Sequence, residues 1–398
     1  MKARAKESLL QYSGMHKAFE YRLYPNYGQH RLLLSCLAES RRLHNEMLES
    51  VKAHYEETGK FLTRHDLTYR FKGRGGSPGS EHVPQTTVQT LADRLDKALK
   101  RFFHRKEVGQ KVGFPRLKCP NRWHSIHLRQ YGSGRDAYLD PDTGRLRVPK
   151  KLGGRLKVKQ HRPLEGTPKT AHLVYRADGH WYVLIVCALG EAPESKDGPA
   201  VGIDVGLKVF ATDSEGEMVE NPRCLRRAAK GLRRAQRKVS RREKGSRRHK
   251  KAARAVAKKH LKVSRQRKDH AHKTAREYVD KYAVLAVEDL RVCNIVKNHH
   301  LARAISDAGW SQFVNILCFK AESAGRRVYK VPPHFTSQLC SNCGEVVEKS
   351  LSVRTHTCPS CGYVADRDHN AAKNILARAE PLYRNAGDGP HGARSRLL

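Results

Sequence analysis

Three acidic residues interrupt or end apolar segments of the chain, where an ionised carboxylate is costly unless it has a partner. Asp204 lies inside the apolar run VGIDV, Glu288 ends the run AVLAV, and Asp368 lies in a helix-like segment near the C-terminus. A divalent cation is one possible partner, and a turn or a salt bridge is the ordinary alternative for any single acid. The order of the three acids, on a first strand, a later strand and the last helix, is more specific than any one of them.

The chemistry that such carboxylates could support is metal-dependent hydrolysis of a phosphodiester bond. Hard oxygen ligands can hold two Mg²⁺ ions roughly 4 Å apart, of which one activates water and the other stabilises the departing oxygen. A carboxylate on a central strand can bridge both ions, while the other acids each hold one side. The sequence therefore predicts a two-magnesium site built from Asp204, Glu288 and one acid of the C-terminal helix.

The C-terminal helix offers two acids, Asp366 and Asp368. Residues two apart on a helix point about 200° apart around its axis, so both cannot face the same metal ions. We expect one of them to bind metal and the other to cap the N-terminus of the helix.

Four of the ten cysteines form two CxxC units separated by 14 residues, and a glycine follows each unit. Thiolates at this spacing bind a tetrahedral Zn²⁺, and the glycines permit the tight turn of each knuckle. Four thiolates leave no open position, so one structural zinc ion is predicted, with neither His334 nor His356 as a ligand. The other six cysteines are scattered singly, which argues against a disulfide framework. The predicted ligands are Cys340, Cys343, Cys358 and Cys361.

The elements that must position the acids are predicted by hydrophobic pattern. Residues 201–217 are expected to form two strands joined by a glycine turn, and 282–290 (YAVLAVEDL) a buried strand. A helix over 305–325, a strand over 326–333 and a terminal helix over 365–379 should complete this part of the chain.

The N-terminal part combines a strand with helices. A strand over 17–24 precedes helices over about 27–57 and 84–104, each with one apolar face typical of a helix-bundle core. The segment 72–80 (KGRGGSPGS) between the helices has the composition of a flexible loop.

Strands are predicted to dominate residues 113–189. The clearest hairpin is 172–189, where Asp178 and Gly179 supply a two-residue turn. Residues 190–199 have the composition of a linker.

Residues 221–280 are the most basic part of the chain, with 24 Lys and Arg and four acidic residues in 60 positions. We expect two long helices in a hairpin, interrupted at 243–246. Like charges at i, i+3 and i+4 destabilise an isolated helix, so a phosphate backbone along the hairpin is a better account than a merely solvated face. The predicted nucleic-acid contacts are Arg226, Arg227, Arg233, Arg234, Arg237, Lys238, Arg241, Arg242, Arg247 and Arg248.

The charge of the whole chain supports this prediction. The 398 residues include 78 Lys and Arg against 39 Asp and Glu, a formal net charge of +39. Such a protein repels itself unless a polyanion neutralises it, and solubility alone needs a net charge of only about 2–8. There is no apolar run long enough for a transmembrane helix and no secretory leader, so we expect a cytoplasmic, nucleoid-associated prokaryotic protein.

Several motifs together resemble the TnpB proteins, which are transposon-encoded relatives of type V CRISPR effectors. They comprise GIDVG (202–206), VEDL (287–290), the double CxxC, DRDHNAAKNI (366–375), KAFEYRLYP (17–25), KVGFPRL (111–117) and ISDAGW (305–310). The resemblance covers about residues 16–380. Within it, Asp204, Glu288 and Asp368 match the catalytic acids, which leaves Asp366 as the helix cap.

The resemblance implies a multi-domain α/β fold. An RNase H-like (RuvC) nuclease domain would contain an inserted zinc ribbon, and a wedge β-barrel would be interrupted by a helical recognition domain. The boundaries expected on this basis are a flexible lead-in at 1–16, the wedge barrel at 17–30 and 113–196, the helical domain at 31–112, the nuclease domain at 197–335, the zinc ribbon at 336–365, the terminal nuclease helix at 366–380 and a disordered tail at 381–398.

The activity that the resemblance implies is RNA-guided cleavage of double-stranded DNA. The guide RNA would derive from the transposon end, and the cut would lie beside a short transposon-adjacent motif. The protein would then recognise duplex shape while base pairing supplies the sequence. Two alternatives remain: a nuclease-inactive RNA-guided repressor, against which the intact acids count, and a guide-independent RNase H-like transposase.

Overall fold

The computed structural model describes residues 14–71, 81–110, 112–195, 197–350 and 353–384. The chain divides into two compact units, Met1–Glu191 and Ala192–Leu398. The division falls inside the segment 190–199 that was predicted to be a linker. The predicted loop at 72–80 lies outside the described residues.

The first unit is built on a sheet of seven strands in the order β2-β6-β7-β1-β5-β4-β3. All of its ladders are antiparallel. The predicted hairpin is confirmed as β6 and β7, with Gly179 at a φ of 83° in the turn. The strands are β1 (His16–Tyr24), β2 (Ser125–Leu128), β3 (Tyr138–Leu139), β4 (Arg145–Arg147), β5 (Arg155–Lys159), β6 (Thr167–Tyr175) and β7 (Trp181–Ala188).

Closure of this sheet into a barrel stays a prediction. A single bridge between Tyr131 and Ala137 links the segment after β2 to the residue before β3. Among the described residues no longer ladder joins the two end strands. Within the predicted lead-in at 1–16, Met15 is buried and its N–H donates to the carbonyl of Gly190 at 3.0 Å.

The described residues between β1 and β2 include three α-helices: α1 (Tyr27–Thr58), α2 (Arg64–Arg70) and α3 (Gln85–Glu107). Helix α1 begins at Tyr27, as predicted, because Asn26 and Gln29 form a reciprocal capping box, with Asn26 accepting from the Gln29 N–H at 2.8 Å. The helix is continuous across residues 30 and 31, where a domain boundary was expected, and that boundary stays a prediction.

The second unit contains a five-stranded sheet in the order β10-β9-β8-β11-β12. Strands β8, β9 and β10 are antiparallel neighbours, whereas β11 is parallel to both β8 and β12. Strand β11 is buried almost throughout, as its continuous apolar sequence requires. The strands are β8 (Ala200–Val205), β9 (Val209–Asp213), β10 (Met218–Glu220), β11 (Val284–Glu288) and β12 (Arg327–Val331).

Helices α4 to α8 connect or flank these strands. The basic segment forms the predicted hairpin of α4 and α5, and α5 packs along α8 through a core that includes Phe313 and Tyr278. The helix expected over 305–325 is instead two helices, because Gly309 has a φ of 72° and ends the first of them. The helices are α4 (Cys224–Ser240), α5 (Arg247–Lys281), α6 (Val292–Ile295), α7 (His299–Ala308) and α8 (Trp310–Ser323).

The C-terminal segment pairs a small hairpin with the last helix. Strands β13 (Thr355–Thr357) and β14 (Val364–Asp366) form the hairpin, and α9 (Arg367–Arg384) follows without a break. Helix α9 starts two residues later than expected and continues to Arg384, so the tail predicted from 381 is helical at its start. No described helix is both long and apolar enough to span a membrane.

Candidate functional site

Asp204 and Glu288 lie at the carboxyl ends of neighbouring parallel strands. Ile203 of β8 is directly opposite Val287 of β11, and each acid is the next residue along its strand. Because the same step along two parallel strands turns side chains to the same face, the two carboxylates point to one side of the sheet. Both strands form because of their apolar β-branched runs, and both acids are only partly exposed.

Asp368 reaches the same place from the first turn of α9. Its side chain is buried, with 8% of the residue exposed. A Cβ built on Gly206, just after β8, would lie 3.8 Å from Asp368 Oδ2. The three acids predicted from the sequence therefore meet at one edge of the sheet.

Helix α9 can approach the sheet because β8 contains a glycine at the crossing point. A Cβ on Gly202 would lie 2.1 Å from the carbonyl oxygen of Ala372 and 2.8 Å from the N–H nitrogen of Leu376. Neither backbone group can move without displacing the helix. Because Gly202 has no side chain, α9 can pack close enough to β8 to bring Asp368 to the edge of the sheet.

Asp366 caps the N-terminus of α9, which is one of the two roles expected for Asp366 and Asp368. Its Oδ1 accepts from the backbone N–H groups of Asp368 at 2.8 Å and of His369 at 3.3 Å. These are free donors at the start of a helix, so Asp366 acts as the cap. Asp368 is left free to face the sheet.

The electrostatics of the site disfavour three ionised carboxylates without a cation. Burial raises the pKa of Asp204 well above its usual value, and the charges of Glu288 and Asp368 raise it further, while Arg367 opposes them. Burial also raises the pKa of Glu288, against the hydrogen bond from Thr336 and the charge of Arg378. A bound divalent cation would favour both ionised forms.

Sequence reasoning missed three side chains that contact these acids. Arg354 Nη1 lies 3.4 Å from Asp368 Oδ2, and Arg367 Nη2 lies 3.1 Å from Asp368 Oδ1. Thr336 Oγ1 donates to Glu288 Oε1 at 2.5 Å. The position of Arg367 between two acids was a usable local signal, but nothing local connects Arg354 or Thr336 with its partner.

The four predicted cysteines form a compact cluster. Their sulfur atoms all lie within 4.8 Å of one another, and among the described residues they are the one group of three or more His, Cys, Asp and Glu side chains collected so tightly. Cys340 and Cys361 sulfurs are 3.7 Å apart, and those of Cys343 and Cys358 are 3.6 Å apart. A tetrahedron of zinc–sulfur bonds of about 2.3 Å needs sulfur separations of about 3.8 Å, so the cluster fits zinc.

Each pair of cysteines sits on a tight knuckle. The N–H of Gly344 donates to Cys340 O at 2.9 Å and that of Gly362 to Cys358 O at 3.0 Å. Both glycines have positive φ, 81° and 71°, as the sequence predicted. Asn342 donates to Cys361 Sγ at 3.6 Å, and this hydrogen bond, together with the backbone of Tyr363 and the neighbouring thiols, lowers the pKa of the Cys361 thiol to about 6, which favours the thiolate that binds metal.

Neither nearby histidine belongs to the cluster, as predicted. His334 is exposed, and His356 is buried with Nδ1 against Lys349 Nζ. The carboxylates of Asp204, Glu288 and Asp368 are spaced more widely than the cysteine sulfurs.

The basic hairpin presents its predicted contacts to solvent. All ten predicted Arg and Lys side chains between Arg226 and Arg248 are exposed, and none forms an ion pair with another described residue. The apolar side of α4, including Leu232 and Ala235, is buried instead. The carboxylate of Asp307 accepts from the Leu225 N–H at 2.9 Å and fixes the start of α4.

Three family descriptions match parts of the chain. A family described as "Probable transposase" matches residues 182–299, and "Cas12f1-like, TNB domain" matches residues 310–375. A "Helix-turn-helix domain" matches residues 15–60, where this structure has strand β1 followed by the single helix α1.

Two relatives are similar over nearly their whole length. A protein of Streptomyces pristinaespiralis named "Putative RNA-guided DNA endonuclease" is 34% identical over 91% of this chain and 89% of its own. "Putative RNA-guided DNA endonuclease InsQ" of Escherichia coli K12 is 28% identical over 91% of this chain and 92% of its own. A solved "Cas12f1-sgRNA-target DNA complex" covers 91% of this chain and 99% of its own at 14% identity, with a TM-score of 0.35, which does not establish a common fold.

Proposed function

This chain belongs to the TnpB family, and on that premise we propose that it is an RNA-guided endonuclease that cleaves double-stranded DNA beside a short transposon-adjacent motif. The observation that carries the proposal is the meeting of Asp204, Glu288 and Asp368 at one edge of the sheet, with the pKa of Asp204 raised by burial and further by the charges of the other two. Buried carboxylates with raised pKa values that are collected in one place support a functional site.

The topology of the second unit supports an RNase H-like nuclease domain of the RuvC kind. Three antiparallel strands are followed in the sheet by two strands parallel to the first, and the acids lie where the parallel strands end. Ligands of open α/β sheets bind at the carboxyl ends of the strands. The last helix then supplies the third acid from a distant part of the chain.

The donor set fits magnesium. Asp204, Glu288 and Asp368 offer only carboxylate oxygens, which Mg²⁺ prefers, and their mutual repulsion would be relieved by a divalent cation. Magnesium bound there would stabilise the negative charge that develops as the phosphodiester bond breaks.

The remaining side chains position the acids. Arg354 and Arg367 neutralise Asp368 and hold its carboxylate from two directions. Thr336 fixes one oxygen of Glu288 by donating to it, which leaves the other oxygen free to bind a cation. Trp310 Nε1 donates to the carbonyl of Gly206 at 3.2 Å and so holds the backbone that follows Asp204.

The partners proposed are a guide RNA from the transposon end and a target DNA duplex. The names of the relatives point to an RNA guide, and the exposed cations of α4 and α5 give this chain a surface that a phosphate backbone can neutralise. The cysteine cluster would hold its zinc as a structural ion, since four thiolates fill its coordination.

The test is cleavage by protein purified together with its own RNA, on a duplex that matches that RNA. We expect cleavage to need Mg²⁺ and to be lost after RNase treatment. Asp204→Ala should abolish cleavage while target binding persists. Cleavage that survives RNase treatment and requires transposon-end repeats would support the transposase instead, and target binding without cleavage by the wild-type protein would support a repressor.

A further inference from the structure

The segment 332–341, which leads from β12 into the cysteine cluster, is hydrogen-bonded to two asparagines of α9. Asn370 accepts from the Ser341 N–H at 2.9 Å and donates to Leu339 O at 2.7 Å. Asn374 donates to the carbonyls of Thr336 at 2.9 Å and Leu339 at 2.7 Å. One carboxamide thus joins α9 to the first knuckle, and the other joins α9 to the start of the segment.

Both amide side chains are buried, where a polar group needs a hydrogen-bond partner. Asn370 is fully buried and Asn374 is 8% exposed. They are four residues apart and so share one face of α9, the face turned to the cysteine cluster. Each bond to a buried carbonyl matters, because an unpaired buried polar group costs about 1–3 kcal/mol.

The same segment contacts the catalytic edge of the sheet from its other side. Thr336 is buried, and its hydroxyl lies 2.5 Å from Glu288 Oε1 and 3.1 Å from Pro333 O. A hydroxyl has one proton, and the shorter distance and the charge of the acceptor direct it to Glu288. Thr336 therefore connects Glu288, through its own carbonyl and Asn374, with the helix that carries Asp368.

We propose that Thr336, Asn370 and Asn374 form a bridge through which the zinc-loaded cysteine cluster sets the separation of Glu288 and Asp368, so that zinc binding and magnesium binding strengthen each other. We call this set the Thr-Asn bridge. The proposal rests on the proposed function, because it takes Glu288 and Asp368 to be magnesium ligands. Its three members are positioning residues, since none is expected to contact the nucleic acid that reacts.

The physical reason is that the cysteine knuckle and the acids share one short piece of backbone. Cys340 follows Leu339, whose carbonyl accepts from both asparagines, and only three residues lie between Thr336 and Cys340. Zinc bound by Cys340 would fix the backbone at that residue. The carbonyl groups of Leu339 and Thr336 would then point in fixed directions towards α9. Loss of zinc would free that segment and with it the carboxylate of Glu288.

The first test measures the cleavage rate against Mg²⁺ concentration for the full chain loaded with its guide RNA. Thr336→Val should raise the half-maximal Mg²⁺ concentration about tenfold or more, since loss of a hydrogen bond to a metal ligand costs about 10–100-fold in affinity or activity. Thr336→Ser should restore it. Ser337→Ala is the matched control, because the Ser337 hydroxyl makes no hydrogen bond with another described residue. An unchanged Mg²⁺ dependence in Thr336→Val overturns the bridge.

The second test does not depend on activity. Zinc affinity of the RNA-free full chain is measured by competition with a colorimetric chelator, with and without Mg²⁺. Thermodynamic linkage requires the two effects to be equal: Mg²⁺ must raise the zinc affinity by the same factor by which zinc raises the Mg²⁺ affinity. For a typical coupling this factor is about fivefold or more. Asn374→Ala and Thr336→Val should remove this effect of Mg²⁺. A merely structural role would lower zinc affinity equally with and without Mg²⁺, and that result overturns the proposal.

The two proposals fail in different ways. If the Asp204→Ala protein cleaves its target, the proposed active site is wrong and the bridge has no acids to position. If Asp204→Ala is inactive while wild-type zinc affinity is indifferent to Mg²⁺, the active site stands and only the bridge is wrong.

Discussion

Replacing Asp204 with Asn should stabilise the magnesium-free protein while abolishing cleavage. Burial and the charges of Glu288 and Asp368 raise the pKa of Asp204 in the folded state. A raised pKa means that the folded state binds the proton more tightly than the unfolded state, so the ionised form costs stability at neutral pH. That cost disappears as the pH falls through the folded pKa towards the unfolded value of about 3.9. An amide removes the cost at every pH.

The size of the gain follows from the geometry. The side chains of Asp204 and Glu288 project from adjacent parallel strands, which are about 5 Å apart. Two unit charges at that distance repel by about 3 kcal/mol at an effective dielectric constant of about 20. Arg367 opposes the repulsion, so we expect a net gain of about 1–3 kcal/mol in the free energy of unfolding.

The assay is urea unfolding of the RNA-free protein between pH 5 and 8, in buffers without added divalent cations. Asp289→Asn is the matched control, because Asp289 follows Glu288 in the chain but is exposed. The difference between Asp204→Asn and wild type should be largest at pH 8 and shrink towards pH 5, and Mg²⁺ should stabilise the wild type more than the variant. An Asp204→Asn protein that is less stable than wild type at pH 8, or a difference that grows on acidification, would refute the reasoning.

Three further predictions concern other parts of the second unit. Cys340→Ser should lower bound zinc from one ion per chain to nearly none, as measured by metal analysis of the purified protein, because three thiolates leave the tetrahedral site incomplete. Gly202→Ala should reduce cleavage at least tenfold, in a cleavage assay with the full chain and its RNA, since its Cβ would overlap Ala372 O and push α9 away from the sheet. Changing three exposed α4 cations to Gln should lower the slope of log affinity for RNA against log salt by about 0.7 for each lost phosphate contact with a single strand, as measured by filter binding; the three are Arg233, Arg234 and Arg237.

Each of these predictions has a control in the same chain. Cys318→Ser removes a thiol outside the cluster and should leave the zinc content at one ion. Gly28→Ala adds a methyl group whose nearest neighbour is 3.6 Å away, and cleavage should be unchanged. Arg276→Gln removes a cation that is already paired with Asp280, so the salt slope should change less than with an unpaired α4 cation. If a control variant changes zinc content, cleavage or salt slope as much as its test variant does, the corresponding prediction is contradicted.

The sequence predicted those features whose cause is local. Asp204 and Glu288 could be found because apolar β-branched runs form buried strands and the acids end or interrupt them, and the cysteines because CxxC spacing fits one metal ion. Local chemistry also predicted the hairpin turn at Gly179. The break at Gly309 was missed because the apolar pattern continues across it, and only its backbone conformation separates α7 from α8.

What the sequence could not predict are the pairings between distant segments. Thr336 and Glu288 are 48 residues apart, and Asn374 and Thr336 are 38 apart. Nothing in the composition of either partner identifies the other, since Thr and Asn side chains are common in turns and on helix surfaces. The pairing of Asn374 with Thr336 depends on the packing of α9 against β8 at Gly202, which is a tertiary contact.

Asp368 and Asp204 differ in how their negative charges are balanced. Asp368 is neutralised from within the chain, by Arg354 and Arg367. Asp204 forms no ion pair with any described residue, and burial together with the charges of Glu288 and Asp368 raises its pKa despite the opposing charge of Arg367. A proton or a bound cation could balance the charge of Asp204. If the proposed function is right, the cation is the better candidate at neutral pH, because a proton would remove a ligand of the proposed magnesium site.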